Sequence, residues 1–589
     1  MGHERDRDEA MNSDVPSTPS IGHYFADLLV RRGQALDGDV RRLLERLCEA
    51  ASLQHSCLNL AATPEETVRR LQSLDCVGDG GDRTPLVLRG GRLYLQRYFV
   101  WEKQVAALLE TRNRPRACAR PERLRERIDR LFPPRNDGNG PDRQRVAALQ
   151  ALTRQLLIIT GGPGTGKTHT VANIVALLLE LSEDEPVIRM AAPTGKAAMR
   201  LKESIRAGLP QSHSSRLTDR VTTLHRLLGP RPGGRGWRHD ARNPINADVL
   251  IVDEASMIDL PMAHRLFSAL PPDARLILLG DADQLPSVDV GNVLADLCGG
   301  VAGYSREFAD AAREFIPGEL PVVEGGHKLL DAVCRFERNY RFAPESGLGR
   351  LTREIKAGTA SFGPDEDGLR FLDLADSRTG DTEERLAGLF ADYIRLLSAG
   401  GQPDAADLLR ALDRTRVLCA RRKTAAAVNR ALETILEQRG LKPKGQDFYT
   451  GKPVMITRND YELELFNGDT GVCVPGDDGE FLVAFPDVTN ARGEMKRELV
   501  PRLPHRETCF AMTVHKSQGS EFEHVVLLMD DSSEAFPEQL QTRALLYTAA
   551  TRARSRLSVY GNAALWRRAL ENTSARASGL GDFLVSSEE

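Results

Sequence analysis

Cysteine is sparse and scattered, with nine residues in 589 and none in a C-x-x-C pair. That argues against a structural zinc or iron–sulfur site and fits reduced, mostly buried thiols. No apolar run approaches the roughly 20 residues that a membrane span requires. The stretch from Met1 to Asp8 is charged and lacks the apolar core of a secretory signal. No membrane attachment and a cytoplasmic location are therefore expected. Neither sign of charge dominates: 79 Lys and Arg against 83 Asp and Glu leave a net charge of -4. A chain so balanced does not coat polyanions indiscriminately, although a local basic groove stays open to it. Aromatic residues are also few, at 5%. What is present, 41% hydrophobic and 28% charged residues, is the composition of a soluble globular protein. Its length suggests about three or four domains.

The strongest local pattern is Gly161-Gly162-Pro163-Gly164-Thr165-Gly166-Lys167-Thr168, which meets G-x-x-x-x-G-K-[ST] at every fixed position. An apolar run from Leu156 to Ile159 precedes it and reads as a buried strand. Val171 to Leu179 follows and reads as a helix. A strand feeding a glycine turn that opens a helix aims backbone N–H groups and a positive helix end at one point, which suits a polyphosphate. Lys167 is then placed for the β- and γ-phosphates of ATP, and Thr168 for a Mg2+ ion that shares them.

Around this loop the chain reads as an α/β protein. The expected parts are a disordered polar tail over residues 1–20, a small mainly helical domain over 21–112 and an Arg- and Pro-rich linker over 113–142. Two α/β domains follow, over 143–350 and 351–589. In the helical domain, Leu86 to Leu95 reads as a hairpin turning at Gly90-Gly91. That domain carries no catalytic constellation and reads as a packing or docking module. The arginines between 112 and 130 are interspersed with Glu122, Glu126 and Asp129, which favours a solvated helix face. Residues 299–326 read as a surface insertion. From about 445 to 506 the chain has β character, with a tight-turn signal at Asn467-Gly468, and a small barrel inserted in the second α/β domain would fit.

Polar runs sit at the carboxyl ends of the strand-like segments, where ligands bind in open α/β sheets. Asp253 closes the apolar run Val249 to Val252 and is the candidate second metal ligand. Glu254 beside it can polarise an attacking water. Gln284 can sense the γ-phosphate or that water. Arg341 and Arg552 are candidate arginine fingers from a facing domain. Gln144, ahead of the first strand, offers a donor and an acceptor together, as the paired edge of adenine requires.

Taken in order, these patterns resemble the superfamily-one DNA helicases. They are Gln144, the phosphate loop, Pro193 to Ala197, Val252 to Ser256, Gly280 to Pro286, Asn339 to Arg341, Thr513 to Gly519 and Tyr547 to Ala553. Finer stretches, Thr223 to Leu228, Phe466 to Gly471, Leu93 to Tyr98 and Asn339 to Phe342, resemble the RecD family, the alpha subunits of exodeoxyribonuclease V. The resemblance implies two RecA-like P-loop motor domains with ATP between them, an SH3-like barrel as the insertion, and ATP hydrolysis coupled to DNA unwinding. It further implies a 5′-to-3′ motor in a RecBCD-type heterotrimer that processes double-strand-break ends for recombinational repair. The N-terminal domain would dock on the gamma subunit, and the nuclease would belong to the beta subunit. Thr194, Lys196, His225, Thr513, His515 and Lys516 are the expected contacts to single- and double-stranded DNA ends. With so few aromatics, those contacts should fall mostly on the backbone. Two rival readings remain. One is a stand-alone helicase of the same branch, although residues 1–140 show no helix-hairpin-helix repeats. The other is an ATP-binding scaffold without turnover, against which the intact set from Lys167 to Arg552 argues.

Overall fold

The computed structural model describes residues 20–585 except 82, 135–139, 211–216, 232–235, 344, 364, 374–378, 461, 477, 490–494, 530–540 and 574–575. The tail expected over 1–20 lies outside the described residues but for Ser20, whose hydroxyl caps the first helix by accepting from His23 N. The chain divides into two compact units. One runs to Lys103 and takes in Arg576–Gly579; the other comprises the remainder.

In the first unit, helices Ile21–Arg31 and Gly38–Ser52 bury Ala26, Leu29, Leu43, Leu44 and Leu47 against Leu71, Leu86 and Leu93. The four-stranded sheet has the order Cys57–Asn59, Arg92–Leu95, Leu86–Arg89, Val77–Gly78. The expected hairpin is present: Leu86–Arg89 pairs antiparallel with Arg92–Leu95. Gly90 and Gly91 turn it with φ of 57° and 69°, as a tight hairpin turn demands. The two short outer strands left no readable pattern. Buried Glu102 accepts from Ser56 Oγ at 2.5 Å, Ser578 Oγ at 2.8 Å and Gly579 N at 3.2 Å, which fastens the returning segment Arg576–Gly579.

The second unit is built on two parallel sheets. The first has the order Val333–Phe336, Leu156–Gly161, Arg275–Gly280, Val249–Val252, Ile188–Ala192, Val221–Thr223. Its central strands are buried along their whole length and mostly apolar because helices cover both faces. The second has the order Leu369–Asp373, Ala553–Gly561, Phe522–Leu528, Thr415–Cys419, Ala511–Thr513. Separate cores lie on its two faces, one around Trp566, Leu546 and Val559 and the other around Phe510, Leu412 and Leu432. The β-rich insertion is a five-stranded antiparallel sheet whose strands run from Pro453 to Thr508, with its own core of Ile456, Leu465, Cys473, Val483 and Phe485. Among the described residues, no helix is long and apolar enough to cross a membrane.

Three expectations need correction. Residues 113–142 contain the expected helix, Pro121–Leu131, but it is no part of a linker, because it buries Leu124 and Ile128, followed by Phe132, in the first sheet's core. Their spacing of four was hidden among eight arginines. Of these, Arg127 and Arg130 pair with Glu180, while Asp129 pairs with Arg145. Residues 299–326 are not a surface insertion, since Tyr304, Phe308, Ala312, Ile316 and Leu320 join the same core. Helix Arg306–Ala312, capped by Ser305, sets that four-residue spacing, and charged neighbours obscured it. Helix Gly347–Ala357 runs through the expected boundary at 350 and gives Leu348, Leu351 and Ile355 to the second sheet's core.

Candidate active site

The phosphate loop leaves the strand Leu156–Gly161 and enters helix Lys167–Leu181. Gly164 and Gly166 take φ of +80° and +85°, a region closed to most side chains. Space forbids a side chain as well. A Cβ on Gly164 would come within 2.5 Å of the Arg341 Cβ, and one on Gly166 within 2.6 Å of Gln144 Nε2. Thr165 Oγ1 donates to the Gly162 carbonyl at 2.8 Å, and Lys167 Nζ donates to the carbonyls of Gly161 and Gly162 at 2.5 and 3.0 Å. Asn339 clips the loop from outside: its Nδ2 donates to Pro163 O at 2.9 Å while its Oδ1 accepts from Arg341 N and Phe342 N. Tyr340 N donates to Gly164 O at 2.8 Å, and its ring, 47% exposed, lies beside Gly166.

Asp253 and Glu254 follow the buried strand Val249–Val252. Burial and the charge of Glu254 push the Asp253 carboxyl up, against the pull of the Glu254 N–H, Lys167 and Arg200. Glu254 has φ of 52°, a left-handed conformation uncommon outside glycine; such departures cluster at functional sites. Gln284 is buried, donates through Nε2 to Asp281 Oδ2 at 3.0 Å, and leaves its buried Oε1 without a partner.

The two candidate arginine fingers differ in origin, which corrects the expectation that both come from a facing domain. Arg341 follows the strand Val333–Phe336, an edge strand of the first sheet itself, and packs on Gly164. Only Arg552 arrives from the second sheet, between helix Arg543–Ala550 and strand Ala553–Gly561. Arg552 is 2% exposed and donates to Thr548 O and Ser520 O at 3.3 and 3.2 Å. Burial pulls its guanidinium down, while the charges of Glu254 and Glu521 oppose the shift. Glu521 ties the two origins together by accepting from Arg341 Nη2 at 2.6 Å. Arg341 Nη1 is buried and has no partner.

These features fit a nucleoside triphosphate. The loop's glycines have room for no side chain, and Gln284 Oε1 and Arg341 Nη1 are buried, unmatched polar atoms. The nearby hydroxyl of Thr168 and carboxylate of Asp253 supply oxygen donors of the kind Mg2+ prefers. Among the described residues, no three His, Cys, Asp or Glu side chains cluster as a metal site of their own.

The six expected DNA contacts lie at the carboxyl ends of strands remote from the phosphate loop. Thr194 caps helix Gly195–Gly208, its hydroxyl accepting from Ala197 N at 3.2 Å. Lys196 lines a cavity of about 510 Å3 together with Arg200, Arg410, Arg414, Arg554 and Glu521. His225 follows the edge strand Val221–Thr223 and packs on Trp237 with ring centroids 5.7 Å apart. Burial, then the charge of Arg265, pull its pKa down, so its ring offers hydrogen bonds rather than charge. Thr513 ends the second sheet's edge strand Ala511–Thr513, and His515 and Lys516 follow it. Thr513 is buried and accepts from Lys516 N, and Lys516 Nζ pairs with Glu507 at 2.6 Å. The Phe466 ring of the insertion lies against Gly195.

Comparison with known proteins places this arrangement. Residues 20–94 match the N-terminal domain of RecBCD enzyme subunit RecD, 144–290 an AAA domain and 508–560 a UvrD-like helicase C-terminal domain. RecBCD enzyme subunit RecD of Mycolicibacterium smegmatis is 38% identical over an alignment that covers 84% of this chain and 83% of that one. The chain belongs to the RecD family. RecD of Haemophilus influenzae is 33% identical over 85% of this chain and 81% of its own. The ATP-dependent RecD2 DNA helicase of Deinococcus radiodurans is 29% identical over 81% of this chain but 56% of its own length. In this RecD-family chain the sequence patterns pointed to the loop, the carboxylates and the arginines. They gave no role to Asn339, Tyr340, Asp281, Glu521, Phe466 or Tyr547, although all six lie within or beside the recognised stretches. Arg200 had no sequence signal of any kind.

Proposed function

We propose that this chain is the ATP-driven 5′-to-3′ helicase subunit of a RecBCD-type complex, unwinding double-strand-break ends for recombinational repair. The observation that carries this reading is the meeting of Lys167, Asp253, Glu254, Gln284, Arg341 and Arg552 around one phosphate loop, with Arg552 supplied by the second sheet. The two parallel sheets act as RecA-like motors, and the antiparallel insertion as an SH3-like barrel. Gln144 holds the adenine edge, and the exposed Tyr340 ring beside it offers a flat face for the base. Backbone N–H groups of the loop and Lys167 bind the phosphates, with Lys167 exchanging its carbonyl partners for phosphate oxygens. Mg2+, held by Thr168 and Asp253, would offset charge on the phosphate oxygens. Glu254 accepts a hydrogen bond from the attacking water and polarises it, and Gln284 Oε1 helps to orient it. Arg341 and Arg552 meet the negative charge that spreads over the transferred phosphoryl group.

Each cycle of binding and release would then change how the two sheets meet, and so move DNA bound along their edge strands. Thr194, Lys196, His225, Thr513, His515 and Lys516 hold that strand mainly by its backbone. The N-terminal unit docks on a gamma subunit, and a beta subunit supplies nuclease activity. The test is ATP hydrolysis with and without single-stranded DNA, followed by unwinding of duplexes carrying a 5′ or a 3′ tail. Hydrolysis that DNA stimulates, that Lys167→Ala abolishes and that opens only the 5′-tailed duplex supports the reading. Equal turnover in the wild type and Lys167→Ala would overturn it.

A further inference from the structure

Asp281 is 1% exposed, and among the described residues no Lys or Arg pairs with it. Three donors meet its carboxylate instead. Oδ1 accepts from Asp283 N at 3.1 Å, and Oδ2 accepts from Gln284 Nε2 at 3.0 Å and from Tyr547 Oη at 3.1 Å. Tyr547 belongs to helix Arg543–Ala550 of the second sheet, whereas Asp281 and Gln284 follow the strand Arg275–Gly280 of the first. The next residues repeat the bridge: Leu285 N donates to Thr548 Oγ1 at 2.9 Å, and Gln518 Nε2 to Leu285 O at 2.9 Å. Tyr547 also reaches the phosphate loop, since a Cβ on Gly162 would lie 2.7 Å from its hydroxyl. Burial, followed by the charges of Asp281 and Asp283, drives the Tyr547 pKa well above its ordinary value, so the hydroxyl keeps its proton and donates it to the carboxylate.

The chemistry of an amide gives this contact a consequence. A carboxylate only accepts, so Asp281 must face the NH2 end of Gln284 and leave Oε1 directed away from it. That oxygen is buried and unmatched. We infer that Tyr547 is a positioning residue: by holding Asp281 it fixes which end of the Gln284 amide is offered to the attacking water, and so makes hydrolysis depend on how the second sheet seats on the first. This rests on the motor reading of the site. Without the Tyr547 hydroxyl, Asp281 loses the donor from the second sheet. With asparagine at 281, the Gln284 amide can turn over and present its NH2 group.

The test uses the full chain, steady-state ATP hydrolysis with saturating single-stranded DNA, and the variants Tyr547→Phe, Asp281→Asn and their double. Tyr547→Phe should lower kcat about tenfold, the scale of one hydrogen bond to a charged group, while KM for ATP is unchanged. Asp281→Asn should cost more, and the double variant should be no slower than Asp281→Asn alone, because both act through one amide. An unchanged kcat in Tyr547→Phe, a change confined to KM, or losses that multiply in the double variant would each overturn the relay while leaving the motor reading intact. A wild-type chain without DNA-stimulated hydrolysis would overturn both.

Discussion

The two parallel sheets share an architecture and divide the work unequally. In the first, the strand Leu156–Gly161 turns through left-handed Gly164 and Gly166 into a helix, and the turn becomes a phosphate cradle. In the second, the strand Thr415–Cys419 also runs directly into a helix, Arg422–Gln438, but through Ala420 and Arg421 with no glycine. Without glycine the backbone cannot fold into the same nest of N–H groups. The second sheet instead sends side chains outward from its loops and from helix Arg543–Ala550: Glu521 to Arg341, Tyr547 to Asp281, Gln518 to Leu285, and Arg552 toward Glu254. On the proposed function, one sheet would bind and the other would read what is bound. A fold of this kind acquires a motor's asymmetry through a few loop residues, with no change in strand order.

That division can be broken most sharply at Arg552. Replacing it with alanine should reduce DNA-stimulated kcat about a thousandfold, the scale of an arginine finger, in a coupled ATPase assay. A loss below tenfold would mean that the second sheet is not part of the chemistry. Next in size is Trp566→Ala in the second sheet's core, where the indole also donates to Ala360 O at 3.0 Å. It should cost about 3–5 kcal/mol. Hydrogen exchange should then rise first in residues 369–373 and 553–561, with the strand Leu156–Gly161 affected least. A smaller effect, about 1–3 kcal/mol, is expected for Gly164→Ala, which forces a Cβ into a left-handed residue and against Arg341. Calorimetry should report weaker ADP binding in that variant.

The smallest expected effect concerns pH. Burial, then Arg556 and Arg370, push the His524 ring down to about 4 from its ordinary 6.5. Between those values the unfolded chain binds the proton and the folded chain does not. The associated stability is therefore full above about 6.5 and lost as pH falls toward 4. His524→Gln should flatten the fall in melting temperature between pH 7 and 5, acting on the second sheet alone.

Much of this site was legible because phosphate chemistry fixes residue types at fixed spacing. The loop, Asp253, Glu254 and Gln284 follow apolar strands, and their order along the chain survives folding. The buried face of the helix at 121–131 and the whole helix at 306–312 were hidden for another reason: their apolar residues recur every four positions, but arginine and acidic neighbours dilute the pattern. The origin of Arg341 was misjudged because sequence distance says nothing about sheet order, and Val333–Phe336 returns to lie beside Leu156–Gly161. The contacts of Asp281, Tyr547 and Glu521 pair residues far apart in the chain, so no local pattern could announce them.

The most direct test of this division is the affinity of the full chain for ADP alone and for ADP with aluminium fluoride, which mimics the phosphoryl group in transfer. The wild type should bind the second more tightly, and Arg552→Ala should lose that preference while binding ADP as before. An Arg552→Ala chain that keeps the full preference would show that the first sheet completes the site unaided.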